Sequence, residues 1–420
     1  MSDIRETGSL EEQLRQDQRR EAARRRRKRL PWMIPLALLA VLIGVGLYLL
    51  ISNQNPKTPR TAETEAPANS PVTIAFVGDI AMTKAAQEAF LTPAGYDFSP
   101  CFRWVTAELR AADLAVGNLE GNISDEISDY HYPPALLTAL YDAGFDVLQT
   151  ANSFSVVNGV SGLARTKAAI SSAGLRSVGT SATKEEADQT GGVLVQDVNG
   201  IRFAFLAFTK GMENNLRVPE EALWSVNLLY SDELYKEIAR DAILNAVKRA
   251  RAENPDVIVA LVHWGSEYDE ELSDSQTKIA ELLLENGVSL VVGSHSHYVG
   301  PVKRTNGYGV FTGSAVVAYS LGDFLSAADA TNARAGCILN VRFLRENGQV
   351  RMTDVSCTPT YSTQPSEALE CEKWEILDSR QAMAFYEERY YDAVSAPMYE
   401  LLKQTTERMQ TQIGTQVSLK

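Results

Sequence analysis

The stretch VVGSHSHYVGPV, residues 291–302, decides the fold. It ends an apolar run, Val288 and residues 290–292, that reads as a buried strand, and Gly293 releases that strand into a loop. His295 and His297 then stand at the carboxyl end of the strand, where open α/β sheets place their ligands. Alternate residues of an extended segment point the same way, so the two imidazoles are expected to converge on one ion. The chain holds four histidines, and a third, His263, ends a similar run, DVIVALVHWGSEY at 256–268. Taken singly, each would read as a satisfied core residue. Together, three histidines at strand ends point to a site.

Outward from these runs, strands and helices alternate. Strands are expected over 72–79, 113–120 and 145–152, and helices over 104–112, 134–143, 160–173, 232–253 and 275–285. Residues 191–209 read as a hairpin around Asn199-Gly200, and 337–358 as another over Glu346-Asn347-Gly348. Residues 307–324 supply two more short strands, and the last forty or so residues read as mostly helical. Such alternation means an α/β fold with helices outside sheets, and the interleaved hairpins suggest two mixed sheets facing each other. No P-loop, GxGxxG or GxSxG occurs.

The first seventy residues set the compartment. Residues 19–29 carry eight Lys/Arg against one Glu and run into 31–51, which has no charged residue. About twenty apolar positions suffice to cross a ~30 Å hydrocarbon core. A cleaved signal peptide would have a shorter core and a small-x-small cleavage site, so an uncleaved anchor is favoured. The basic flank stays inside, which makes 1–30 a cytoplasmic segment, 31–51 a single transmembrane helix and the rest extracytoplasmic. Residues 52–71 are polar and Pro-rich and read as a flexible stalk, followed by a main domain over 72–365 and a C-terminal helical extension over 366–420. Residues 1–30 sum to +4 (ten Lys/Arg, six Asp/Glu) and 31–71 to zero, so the chain's −13 leaves −17 on residues 72–420. That charge argues against a nucleic-acid partner. Of the four cysteines, Cys101, Cys337, Cys357 and Cys371, none shows zinc-site spacing. A Cys357–Cys371 disulfide and free buried thiols are both open.

Chemistry gathers where strands end. The first ends in Gly78-Asp79, the second in Asn118-Leu119-Glu120, the third in Asn152-Ser153, and a late one in Gly322-Asp323. With His263, His295 and His297 these form the hard-to-borderline ligand set for Mn²⁺, Fe or Zn²⁺. Two such ions can hold a hydroxide and polarise a phosphoryl or carbonyl group.

Read in order, Gly-Asp-Ile, Asn-Leu-Glu-Gly, Ala-Gly-Phe-Asp-Val…Ala-Asn, His-Trp-Gly-x-Glu-Tyr, Gly-Ser-His-x-His and Tyr-Ser-Leu-Gly-Asp-Phe resemble the blocks of the CapA family over about residues 72–326. These are poly-γ-glutamate capsule biosynthesis proteins, similar to calcineurin-like metallophosphatases. The resemblance implies a four-layer α/β/β/α sandwich with a metal cluster at the strand ends. It also implies a part in making, exporting or anchoring a γ-linked glutamate polymer, with polymer synthase or export subunits as partners. On this reading Asp79, Glu120, His263, His295 and His297 hold divalent metal, and Asn118, Asn152 and Asp323 face substrate.

One block departs. Where the family reads Ala-Asn-Asn-His, this chain has Ala151-Asn152-Ser153-Phe154, so Ser153 and Phe154 replace a metal ligand and a catalytic imidazole. Three readings follow: metal binding with weak acid catalysis, an imidazole supplied by His131 from its loop, or a vestigial site on a scaffold. The enzyme hypothesis is an anchored metal-dependent hydrolase or transferase. Against it stand an anchored accessory subunit and a polymer- or wall-binding domain, and no catalytic residue is assigned.

Overall fold

The computed structural model describes residues 70–306, 314–364, 374–391 and 393–420. The basic segment, the 31–51 span, residues 52–69 of the stalk, and Cys371 with its pairing lie outside the described residues. No helix among the described residues is long and apolar enough to cross a membrane.

Chain order explains the architecture. Four strands come first: β1 (Val72–Ala81), β2 (Leu114–Leu119), β3 (Val147–Gln149) and β4 (Arg176–Val178). Six follow: β5 (Leu194–Val198), β6 (Ile201–Thr209), β7 (Val257–His263), β8 (Leu290–Ser294), β9 (Val302–Asn306) and β10 (Ser314–Ala318). The last four are β11 (Asp323–Ser326), β12 (Ala335–Glu346), β13 (Gln349–Thr363) and β14 (Glu375–Asp378). The first and last groups share one sheet, ordered β14-β13-β12-β1-β2-β3-β4, with β11 beside β1 and Ser418–Leu419 beside β13. The middle six make the other, ordered β9-β10-β8-β7-β6-β5. Both sheets are mixed.

Period-two alternation sorts the side chains into layers. Ile74, Phe76 and Val116 of the first sheet share a core with Phe203, Phe205, Val259, Leu261, Leu290 and Val292 of the second, and Phe203 meets Phe343 edge-on at 5.1 Å. The alternate residues Ala75 and Val77 face outward onto Leu136, Leu137 and Leu140 of the helix Ala135–Ala143. On the far side Ala204, Leu206, Ile258 and Val262 pack under the helices Arg240–Ala252 and Asp274–Glu285. The order is helix, sheet, sheet, helix. Burying a Leu, Val or Phe side chain contributes roughly 1.5–3 kcal/mol, so these three layers of contact hold the sandwich together.

The two hairpins turn through Asn199 (φ 47°) with Gly200 (φ 81°), and Asn347 (φ 52°) with Gly348 (φ 79°), the left-handed pairs such turns require. The structure corrects the expected helix over 232–253, which begins only at Arg240. The Asp232 carboxylate accepts from the backbone N–H groups of Leu234, Lys236 and Glu237, closing a loop, and Tyr235 stands at φ 55°. Both features defeat helix nucleation there. β9, with the polar sequence VKRTN, has no apolar alternation and was not expected. It is an edge strand held by pairing to β10. In the C-terminal segment, β14 and Ser418–Leu419 pair with β13, and the helices Ser379–Glu387 and Ala396–Ile413 pack beside them. Cys101, Cys337 and Cys357 are all buried.

Candidate metal centre

Strand register sets the site. β1 runs parallel to β2 and β11, with Asp79 opposite Asn118 on one side and Asp323 on the other. In the second sheet Thr209, His263 and Ser294 stand in one row across β6, β7 and β8. Two glycines let the elements close. A Cβ on Gly78 would lie 1.7 Å from the Gly322 carbonyl oxygen, and one on Gly293 would lie 2.0 Å from that of Tyr319. Only Gly allows backbones this near.

Across this row the polar groups interlock. Asn118 Nδ2 donates to Asp79 Oδ1 at 2.6 Å and lies 3.3 Å from His263 Nδ1. Asp79 Oδ2 accepts from the His295 backbone N–H at 2.9 Å, which fastens the first sheet to the loop after β8. His263 Nδ1 lies 2.9 Å from Ser294 Oγ, and its Nε2 lies 3.1 Å from Ser153 Oγ and 3.3 Å from Glu120 Oε1. His297 Nδ1 lies 2.8 Å from Asp323 Oδ1. All five residues assigned to metal are buried, as are Asn118, Asn152 and Asp323.

Two groups emerge whose ligand atoms lie within 4.8 Å of one another: Glu120, His263 and His295, and Asp79, His297 and Asp323. Asp323 therefore stands among ligand-capable groups. Asn152 donates to Asn118 Oδ1 and the Leu119 carbonyl and accepts from Phe154 N–H, so its amide serves to position its neighbours. The expected convergence of His295 and His297 on one ion is corrected. The chain does not stay extended past Ser294: His295 sits at φ 97° and His297 at φ 61°. Their ring centroids stand 6.5 Å apart, whereas His295 and His263 are 4.5 Å apart. Left-handed backbone at a non-Gly residue costs on the order of 1–3 kcal/mol, and two such residues here mark a site that the surrounding contacts impose.

Electrostatics agree with a cation site. Burial, then the Glu120 charge, pushes the Asp79 carboxyl up to about 6. Burial, aided by Asp323, Glu267 and Glu213 against His297, pushes Glu120 up to about 8. Burial holds His263 down at about 4 and His295 well below its ordinary value. For His297 burial works in the same direction, but the Asp323 and Glu267 carboxylates outweigh it and raise the ring above its ordinary value. Crowded buried carboxylates beside neutral imidazoles are groups that trade protons for metal.

The chemistry of the donors fits a divalent ion. Glu120 Oε2 and both ring nitrogens of His295 are buried with no hydrogen-bond partner among the described residues. Such orphaned atoms cost about 1–3 kcal/mol each unless a ligand meets them. His131 does not join the site. Its Nδ1 lies 2.5 Å from Ser128 Oγ and its Nε2 lies 2.7 Å from Asn158 Oδ1, so both nitrogens tie down its own loop.

Residues 73–328 match the family model of bacterial capsule synthesis protein PGA_cap. The chain belongs to that family. It is 26% identical over 324 residues to the capsule biosynthesis protein CapA of Bacillus anthracis, covering 75% of this chain and 74% of that one. It is 27% identical over 303 residues to the PGA biosynthesis protein CapA of Bacillus subtilis strain 168, covering 69% and 72%. Against a probable polyglutamine synthesis accessory protein of Mycobacterium tuberculosis it is 26% identical over 216 residues, covering 49% and 55%.

In this PGA_cap chain the departing block is buried. Phe154 is buried and its ring stacks on Tyr130 at 3.5 Å, with 8° between the planes. Three charged neighbours were not assigned to the site from sequence, although Glu267 stands in the His-Trp-Gly-x-Glu-Tyr block. Lys210 and Glu213 follow β6 and pair at 2.8 Å, and Glu267 lies 3.9 Å from His297 Nε2. The end of β6, Thr209-Lys210-Gly211, is a strand end like the others, and inspecting it would have found Lys210.

Proposed function

We propose that this chain is a membrane-anchored, extracytoplasmic accessory protein in the synthesis, export or anchoring of a γ-linked glutamate capsule polymer, and that it binds divalent metal where its two sheets meet. The family match over 73–328 supports the polymer role. The metal reading rests on one observation: two ligand-capable groups, of which the Glu120, His263 and His295 group contains buried donors with no hydrogen-bond partner among the described residues. Glu120, His263 and His295 would hold one ion, and Asp79, His297 and Asp323 the other. Bound divalent ions at such a site supply Lewis acidity and a water deprotonated near neutral pH. The protein's own groups orient the ligands: Asn118 holds Asp79, and Ser294 holds the His263 ring at Nδ1, which leaves Nε2 facing Glu120 Oε1. A phenyl ring at 154 provides no proton for a leaving group, which favours binding over rapid turnover. The uncharged 31–51 span behind a basic flank supports the anchor.

The test is a chromosomal deletion complemented with the full chain, its His263→Ala variant, and a chain lacking residues 1–51. Surface γ-glutamyl polymer should vanish on deletion and return only with the full chain. Undiminished polymer in the deletion strain would sink the proposal.

A second reading, a metal-dependent surface hydrolase, is favoured by Tyr130. Its ring rests on Phe154, beside the departing block, and its hydroxyl is a proton donor although burial and the Glu120 charge raise its pKa and weaken it as an acid. A phenol can donate a proton where a phenyl ring cannot.

A further inference from the structure

Resting on the metal reading above, we propose that Glu213 is a further metal ligand, completing the Glu120, His263 and His295 group from a loop outside the strand-end blocks. The observation that raises it is the state of His295. The ring is fully buried, neither nitrogen has a hydrogen-bond partner among the described residues, and Glu213 Oε1 is 3.9 Å from its Nε2. At that separation the two make no hydrogen bond. Two ligand-type atoms facing each other across such a gap, beside the orphaned Glu120 Oε2, suit a shared cation better than a direct contact.

The loop that carries Glu213 is built for this. Lys210, the residue after β6, reaches Glu213 Oε1 at 2.8 Å and donates to the Gly265 carbonyl at 3.3 Å. Its ammonium lies over the Tyr235 ring at 5.2 Å. The backbone N–H of Glu213 donates to the Ser153 carbonyl at 3.1 Å, so this loop is stitched to the very residue that has no ligand side chain of the expected type. Ser153 offers only a hydroxyl, already 3.1 Å from His263 Nε2. A carboxylate delivered from the neighbouring loop supplies what position 153 lacks. Glu213 keeps 29% of its side-chain surface exposed, which leaves it room to swing toward the buried histidines.

The experiment titrates Mn²⁺ into the purified full chain by calorimetry, and records visible spectra with Co²⁺, for the unmodified protein and for Glu213→Gln and Lys210→Met. Glu213→Gln should bind Mn²⁺ at this group at least about tenfold more weakly, because even groups that only orient ligands are worth about 10–100-fold. Its Co²⁺ spectrum should also change. Lys210→Met breaks the same ion pair but keeps the carboxylate, and should weaken binding less than Glu213→Gln does and leave the Co²⁺ spectrum as in the unmodified chain. Unfolding midpoints in EDTA should match for all three, which separates ligation from folding. Unchanged affinity and spectrum in Glu213→Gln would overturn this inference while leaving the metal reading intact. An equal loss in Lys210→Met would also overturn it, by showing that loop order is the cause. No Mn²⁺ bound by the unmodified chain would remove the metal reading, and this inference with it.

Discussion

Asn118 and Asp79 face each other on adjacent parallel strands, and the amide nitrogen of Asn118 donates to Asp79 Oδ1 at 2.6 Å. Asp79 spends its other oxygen on the His295 N–H, so this pair joins the first sheet to the histidine loop of the second. Removing a hydrogen-bond partner from a buried carboxylate costs about 1–3 kcal/mol. Asn118→Ala should therefore lower the urea midpoint of the full chain by that much stability in the absence of metal. A midpoint equal to that of the unmodified chain would mean the contact does not form in solution.

Gly78 offers a sharper structural test. The Gly322 carbonyl stands where a Cβ would go, at 1.7 Å, and it is backbone that cannot swing aside. Overpacking typically costs about 1–3 kcal/mol, and more where backbone must move. Gly78→Ala should destabilise by about 3 kcal/mol or more in denaturant unfolding and disturb Asp79 next to it. Tolerance of alanine at wild-type stability would contradict the close approach of β1 and β11.

Stability should also respond to pH through Glu108, which belongs to neither ligand-capable group. Burial raises its pKa above 4.5, although Thr358 and Asn340 donate to it at 2.6 and 2.7 Å. A carboxyl whose folded pKa is raised contributes its stability below the unfolded value and loses it as pH climbs through the folded one. Unfolding free energy of Glu108→Gln should therefore gain on the unmodified chain as pH rises above 4.5. Parallel pH profiles for the two proteins would refute the assignment.

Much of this was legible in the sequence, because the physics there is local. Apolar runs ending in Gly-Asp and His-Trp-Gly become strands whose polar ends must meet once the strands lie parallel and in register. The Asn-Gly turns are equally local. The start of the helix at Arg240 was not legible, since the Asp232 side chain captures three backbone N–H groups in a way that apolar periodicity does not record. Nor was the parting of His295 from His297, which depends on left-handed backbone at both residues imposed from across the sheet interface. Lys210 and Glu213 were not legible because β6 reads as half of a hairpin, with nothing in its apolar pattern to mark its far end as part of a site.

Phe154 bears on catalysis. The unmodified chain is expected to turn over an aryl phosphodiester weakly or undetectably with Mn²⁺ or Zn²⁺ added, since losing a general acid typically costs on the order of 10²–10⁴-fold. Ser153→Asn with Phe154→His should raise the rate more than either change alone. Robust turnover by the unmodified protein that is lost in Tyr130→Phe would instead favour the hydrolase reading.

The strand ends of this PGA_cap protein are expected to hold divalent metal. The most direct measurement is the metal content of the full chain, loaded with Mn²⁺ or Zn²⁺, desalted and analysed by inductively coupled plasma mass spectrometry. Two ligand-capable groups predict two ions per chain, with the Glu120 group emptied by His263→Ala and the other by Asp323→Asn. A folded chain that retains no metal, or variants that each still retain two ions, would show that these strand ends do not hold it.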